Sequence, residues 1–126
     1  MTYFPMTCNI LTPGHIKCLK YLSRKDNVIV GLLTAKALKG YKKEVVPFKD
    51  RKFILESLYL PVKVVPQDEL NPYKNLKKYK CSAIASGDGW EKEELEAMTS
   101  LGVKKINIKL PGEKTKLYSS SKILNL

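Results

Sequence analysis

The stretch "TYFPMTCNILTPGHIKCLKYLSRKDNVIVGLL", residues 2–33, decides the fold that the sequence predicts. Short apolar runs near residues 2–8 and 28–33 have the composition of buried strands. Between them, over residues 13–25, apolar side chains recur at a three-residue spacing typical of one face of a helix. These side chains are Ile16, Leu19 and Leu22. A strand, a helix and a strand in this order predict a right-handed βαβ unit with parallel strands.

The same alternation continues along the chain. Further strands are expected at 62–65, 81–86 and 104–110, and further helices at 49–59, about 72–79, 91–101 and after Ser119. In the helix at 49–59, Phe53, Ile54 and Leu58 are expected to form the buried face. The prediction is an α/β, Rossmann-like single domain, residues 1–126, with a five-stranded parallel sheet flanked by helices. The least regular stretches, 35–48 and 111–118, are rich in lysine.

Charge and cysteine content limit the class of protein. The chain has 126 residues, with 23 Lys and Arg against 12 Asp and Glu, so its net charge of +11 attracts anions such as nucleotides, phosphate esters, nucleic acid or acidic lipids. Cys8, Cys18 and Cys81 form no close pair, which argues against a disulfide framework and a four-cysteine zinc site. Without an apolar run near 20 residues or a signal-peptide pattern, we expect a cytoplasmic protein that does not insert into membranes.

The segment Thr12-Pro13-Gly14-His15 follows the first strand, where ligands of such sheets bind. Thr12 is suited to cap the helix, Pro13 favours the first helical position, and Gly14 allows close approach to the backbone. The helix N-terminus then attracts an anion, and His15 in the first turn would face the same anion. The alternative is an ordinary helix start with a solvated histidine, and the segment alone does not decide.

A basic segment, residues 35–52, follows the second strand. Its cations are Lys36, Lys39, Lys42 and Lys43 in one loop, with Arg51 at the start of the next helix. Such a group suits a polyphosphate whose charge must be neutralised during a reaction. The alternative is a solvated charge run, although Gly40, Tyr41 and Pro47 interrupt it and favour a shaped loop.

"SGDGW", residues 86–90, follows the fourth strand. Gly87 and Gly89 permit a tight backbone approach, Asp88 offers a carboxylate and Trp90 a flat ring, a combination able to hold a nucleoside. A common turn with a packing tryptophan would look the same.

"KTKLYSSSKI", residues 114–123, contains the last group of candidate ligands, which are Lys114, Thr115, Ser119, Ser120 and Ser121. Hydroxyls and backbone N–H groups at a helix start can bind phosphate oxygens. A serine-rich helix cap is the alternative interpretation.

In this order, the four segments resemble the cytidylyltransferase-like nucleotidyltransferases. That family carries an HxGH or TxGH signature after a strand, here residues 12–15, and an IS[ST]T motif at a late helix, here residues 118–123. The chain looks most like glycerol-3-phosphate cytidylyltransferases and the cytidylyltransferase domains of phosphonate biosynthesis. The segments that carry this closer similarity are "VIVGLLT" (28–34), "VVPQDEL" (64–70), "NLKKYK" (75–80) and "GDGW" (87–90).

The resemblance implies transfer of a nucleoside monophosphate, CMP from CTP as the leading expectation, with Mg²⁺ and release of pyrophosphate. The acceptor would be a small phosphate or phosphonate, either glycerol-3-phosphate-like or a phosphonate alcohol. His15 and Thr12 would hold the nucleotide phosphates, and Lys39 and Lys42 would neutralise charge. The remaining nucleotide-binding residues implied are Thr7, Asn9, Gly14, Arg51, Gly87, Asp88, Gly89, Trp90, Lys114, Thr115, Ser119 and Ser120. No side chain is assigned to a metal. Related small cytidylyltransferases are usually dimers, so a homodimer is expected.

The sequence departs from the family pattern at five positions, which are Asn9 for aspartate, Thr12 for histidine, Gly89 for the second aspartate of GDDW, Lys114 for arginine and Leu117 for glycine. The position of Gly89 is associated with recognition of the cytosine amino group. These departures motivate a second hypothesis, a catalytically weak or silent nucleotide- or phosphate-binding homologue. A nucleic-acid-binding module is a third, resting on the charge, but the lysines are spread over all elements and no recognition-helix signature is present.

Overall fold

The computed structural model describes residues 1–87 and 89–108. Its elements are β1 Thr2–Met6, α1 Pro13–Ser23, β2 Val28–Leu33, α2 Ala35–Leu38, α3 Phe48–Glu56, β3 Val62–Gln67, α4 Tyr73–Lys78, β4 Ala83–Ser86, α5 Lys92–Leu101 and β5 Lys104–Asn107. The predicted alternation of strands and helices is confirmed, and the observed ends of these elements differ from the predicted ends by a few residues. The helix expected after Ser119 lies outside the described residues. No helix in the described part of the chain is long and apolar enough to cross a bilayer.

All strand pairs are parallel, in the order β3-β2-β1-β4-β5. Side chains of β1 alternate between two cores because successive residues of a strand point to opposite faces. Phe4 packs in the core with α1 and α3, and Tyr3 packs in the core with α4 and α5. The predicted Rossmann-like architecture is confirmed. The order reverses between β1 and β4, so a crevice is expected beyond the carboxyl ends of these two strands.

The segment predicted as irregular, 35–48, contains the four-residue helix α2. Thr34 caps it, since its hydroxyl accepts the Ala37 N–H at 3.4 Å and donates to Asp68 Oδ1 at 2.9 Å. Ala37 and Leu38 are buried against Leu33. Lys36 therefore lies on a helix, and the prediction that it shares one loop with the other lysines was wrong.

The predicted buried face of the second helix was wrong for Phe53 and Ile54, whereas Leu58, just after α3, packs against the core that contains Phe4. Phe53 is 70% exposed and Ile54 is 43% exposed, whereas Arg51 and Leu55 are buried. Arg51 and Leu55 are four residues apart and so share one face of the helix. The hydrogen bonds of the Arg51 guanidinium to the ends of β1 and β2 fix which face turns inward.

Tyr3 and Gly31 lie on neighbouring strands and meet in the second core. A Cβ atom on Gly31 would lie 1.8 Å from the Tyr3 hydroxyl oxygen, so only glycine leaves room for this side chain. The hydroxyl donates to Gln67 Oε1 at 2.7 Å and accepts from Asn75 Nδ2 at 2.9 Å. Burial raises the pKa of Tyr3 above its ordinary value of 10.0. This network ties β1 to β3 and α4.

Candidate active site

A cavity of about 270 Å³ opens at the carboxyl ends of β1 and β4, where the strand order predicts a ligand site. Residues of the α1 start, the lysine-rich loop and the β4–α5 loop complete its wall. The residues predicted from the sequence that line it are Thr7, Thr12, Gly14, His15, Lys42, Gly87, Gly89 and Trp90. The structure thus brings residues from three of the four predicted segments to one place.

Thr12 and His15 form a reciprocal cap at the start of α1. The Thr12 backbone is extended, as an N-cap requires, and its N–H donates to His15 Nδ1 at 3.1 Å. The Thr12 hydroxyl oxygen lies 3.3 Å from the same ring nitrogen. Because Nδ1 accepts the backbone N–H, the neutral ring carries its proton on Nε2. His15 is therefore oriented by the helix cap with Nε2–H as its donor.

The N-terminus of α1 carries the positive end of the helix dipole. The first turn contains no acidic residue, and Pro13 stands at its start, while Gly14 lines the cavity. Backbone N–H groups and the helix dipole favour an anion at such an end. Together with the imidazole of His15, they make this side of the cavity electropositive.

The structure separates the four lysines of the basic segment. Lys42 is half-buried and lines the cavity, with its Nζ 5.2 Å from the centre of the Tyr41 ring. Lys39 is exposed at the C-terminal end of α2 and is not among the lining residues. Lys43 is exposed as well. Of these lysines, Lys42 is the one that lines the cavity, and the catalytic roles of Lys39 and Lys42 stay predictions.

Asn9 and Arg51 do not line the cavity, in contrast to the prediction that they contact the nucleotide. Asn9 is 4% exposed and Arg51 is fully buried. Their hydrogen-bonding groups are used inside the protein, on the backbone of residues 43–46 and on the ends of β1 and β2. The structure therefore places them behind the site.

The loop after β4 forms the opposite rim. Gly89 has a φ of 96°, a conformation that glycine adopts without strain. The Ser86 hydroxyl donates to the Gly89 carbonyl oxygen. Trp90 lines the cavity, and its buried Nε1–H has no hydrogen-bond partner among the described residues. Asp88 lies outside the described residues, as do Lys114, Thr115, Ser119 and Ser120.

The sequence analysis missed two carboxylates at the start of α5, Glu91 and Glu94, which both line the cavity. The Tyr41 hydroxyl donates to Glu91 Oε1 at 3.0 Å, and the Glu91 N–H donates to Glu94 Oε1 at 2.7 Å. Burial, then the charges of Glu91 and Glu93, raise the pKa of Glu94 above its ordinary value of 4.5. The start of this helix was predicted correctly at residue 91, and the capping box that Glu91 and Glu94 form there could have drawn attention to the two carboxylates.

Comparison with known proteins assigns the family. A family model described as "Cytidylyltransferase-like" matches residues 3–126. The chain belongs to the cytidylyltransferase-like family. The predicted family and the predicted enzyme class, a nucleotidyltransferase, are confirmed.

This nucleotidyltransferase is 28% identical to a FAD synthase of Ferroglobus placidus, in an alignment that covers 94% of this chain and 81% of the relative. Its fold is similar to that of a lipopolysaccharide core biosynthesis protein from Thermoplasma volcanium GSS1, with a TM-score of 0.70 and 22% identity. That match covers 86% of this chain and 94% of the other. The structural likeness supports the fold.

The lining of the cavity carries groups of both signs. The α1 N-terminus, His15 and Lys42 present positive or donor groups, and Glu91 and Glu94 present carboxylate oxygens. The lysine-rich loop lies beside these carboxylates, because the Tyr41 hydroxyl donates to Glu91 and the charge of Lys42 acts to lower the pKa of Glu94.

Proposed function

We propose that this nucleotidyltransferase transfers a nucleoside monophosphate to the phosphate or phosphonate oxygen of a small acceptor and releases pyrophosphate. The observation that carries the proposal is the 3.1 Å hydrogen bond from the Thr12 N–H to His15 Nδ1 at the cavity. It fixes the imidazole beside the helix N-terminus, so that Nε2–H and the backbone dipole act on one anion.

The reaction requires little proton chemistry. An acceptor phosphate or phosphonate is an anion at neutral pH, and its oxygen forms a bond to the α-phosphorus while the bond from that phosphorus to the bridging oxygen breaks. The leaving group is pyrophosphate. We propose that His15 Nε2–H and the α1 N-terminus stabilise the charge on the triphosphate and that Lys42 neutralises the crowded anions.

Two nucleoside triphosphates, CTP and ATP, are candidate substrates, and a different observation supports each. Resemblance to glycerol-3-phosphate and phosphonate cytidylyltransferases supports CMP transfer from CTP. AMP transfer from ATP is supported by the relative named FAD synthase, since FAD is FMN joined to AMP. Gly89 also stands where the GDDW motif has the aspartate associated with recognition of the cytosine amino group, which weakens the case for CTP.

We propose that Mg²⁺ arrives with the triphosphate. Among the described residues, no group of three or more His, Cys, Asp or Glu side chains could hold a metal ion. Mg²⁺ keeps several waters and is commonly held by substrate phosphates with few protein ligands, which fits this site. When bound, it would offset charge on the phosphate oxygens.

The test is a pyrophosphate-release screen with Mg²⁺, in which the four ribonucleoside triphosphates are paired with glycerol-3-phosphate, phosphonate alcohols and FMN. We expect turnover with CTP or ATP and one acceptor class. Lys42→Ala should lower kcat/KM by about tenfold or more, and Lys43→Ala, an exposed lysine one position along, is the matched control. If the protein binds a nucleotide but no pair of triphosphate and acceptor releases pyrophosphate, the protein is a catalytically silent homologue.

A further inference from the structure

We infer that Asn9 and Arg51 are positioning residues that hold the segment 43–46 and thereby place Lys42 at the cavity. The inference rests on the proposed function, because it assigns these residues an effect on phosphate transfer through Lys42. Both were expected to contact the nucleotide, and neither lines the cavity.

Asn9 binds the segment through both ends of its amide. Nδ2 donates to the Lys43 carbonyl at 2.9 Å, and Oδ1 accepts the N–H groups of Val45 at 2.9 Å and Val46 at 3.4 Å. The preceding residue, Cys8, has a φ of 56°, so the chain turns sharply where β1 ends. A carboxylate has no donor for the Lys43 carbonyl and would place an oxygen against it. The amide contacts therefore explain asparagine at this position.

Arg51 connects the same segment to the sheet. Nε donates to the Val46 carbonyl at 2.7 Å, and Nη2 pairs with Glu44 Oε2 at 2.6 Å. Nη1 donates to the carbonyls of Thr7 at 2.8 Å and Leu33 at 2.6 Å, at the ends of β1 and β2. A buried guanidinium is tolerated here because Glu44 offsets its charge and four bonds use its donors.

Lys42 is thus held from both sides along the chain. Its own N–H donates to the Leu38 carbonyl at 3.0 Å, and Tyr41 before it is bound to Glu91. The contacts by which Asn9 and Arg51 hold residues 43–46, called the clamp below, begin at the next residue, Lys43. A lysine whose backbone is already fixed loses less freedom when it binds a phosphate, which favours both affinity and rate.

A double-mutant cycle tests this coupling. Asn9→Asp should lower kcat/KM by about tenfold in the wild-type background and by less than about twofold in Lys42→Ala, because the residue it positions is then missing. The matched control is Asn75→Asp on α4, whose amide donates to the Pro66 carbonyl at 2.9 Å away from the loop. Its effect should be equal in both backgrounds. Equal effects of Asn9→Asp in both backgrounds would overturn the inference. Asn9→Ser replaces Asn9→Asp if the latter fails to fold.

Amide hydrogen exchange gives a readout that needs no activity. In Asn9→Ala, the Val45 and Val46 amides should exchange at least about tenfold faster, while the amides of β2 keep their protection. Unchanged exchange at both amides would contradict the clamp. If the pyrophosphate screen finds no turnover and exchange still rises, the proposed function fails while the clamp stands.

Discussion

The backbone N–H of Thr12 donates to His15 Nδ1 at 3.1 Å, so the cap of α1 also orients the imidazole. The role of His15 in capping α1 and its role as a hydrogen-bond donor through Nε2–H can be separated by mutation. Asn at position 15 can present an oxygen near the Nδ1 position but has no counterpart of Nε2, whereas Ala has neither. We expect both His15→Asn and His15→Ala to lower kcat by about 100-fold or more, as loss of a charge-stabilising donor does.

Stability should distinguish the same two variants. His15→Ala removes the reciprocal cap and should cost about 1 kcal/mol in the free energy of unfolding, while His15→Asn should cost less. Urea unfolding followed by circular dichroism measures this difference. If His15→Asn kept full activity and lost as much stability as His15→Ala, the imidazole ring would contribute only to the stability of α1.

Gly31 of β2 should not tolerate a side chain. A Cβ there would lie 1.8 Å from the Tyr3 hydroxyl and 2.7 Å from Gln67 Oε1, so Tyr3 would have to leave its buried network. We expect Gly31→Ala to cost at least about 3 kcal/mol or to prevent folding. Gly87→Ala is the control, since its nearest neighbour would be Cys18 Sγ at 3.6 Å. Similar melting temperatures for both variants would contradict this packing.

The sequence predicts what depends on local pattern. The strands, the buried Leu19 and Leu22 of α1 and the cap at Thr12 all follow from spacing within a few residues. The inward face of α3 does not, because bonds from Arg51 to distant carbonyls outweigh the apolar pattern of Phe53 and Ile54.

Site residues divide in the same way. His15 and Trp90 follow predicted strands, and the rule that ligands bind beyond the carboxyl ends of parallel strands, with the family resemblance, was enough to select these residues, which line the cavity. The inner position of Asn9 depends on backbone groups 34 to 37 residues later in the chain, and the contact of Tyr41 with Glu91 joins residues separated by 50 positions. A single sequence contains no signal for such pairings.

The thiol of Cys8 should react slowly although it lines the cavity. Burial raises its pKa to about 11, partly offset by the charge of Arg51. At pH 8 about one thiol in a thousand is then ionised, and the thiolate is the reactive form. Iodoacetamide labelling followed by peptide mass spectrometry should show Cys8 modified at least about 100-fold more slowly in the folded protein than in urea. Comparable rates in both conditions would contradict the buried placement.

Glu94 should make stability depend on pH in an identifiable direction. Its pKa in the folded chain is raised above 4.5 by burial and by the charges of Glu91 and Glu93, while the hydrogen bond from the Glu91 N–H and the charge of Lys42 act against this rise. The folded state therefore keeps a proton that the unfolded chain has lost, and stability falls as pH rises from about 4.5 through the raised pKa.

Glu94→Gln removes this titration while Oε1 can still accept the Glu91 N–H. The difference in free energy of unfolding, wild type minus variant, should decline as pH rises above about 4.5 and level off once the pH exceeds the raised pKa. Urea titrations at several pH values measure it, with Glu96→Gln, an exposed residue of the same helix, as the control. A difference that rises with pH would mean that the folded chain favours the ionised carboxylate, contrary to its burial beside two other glutamates.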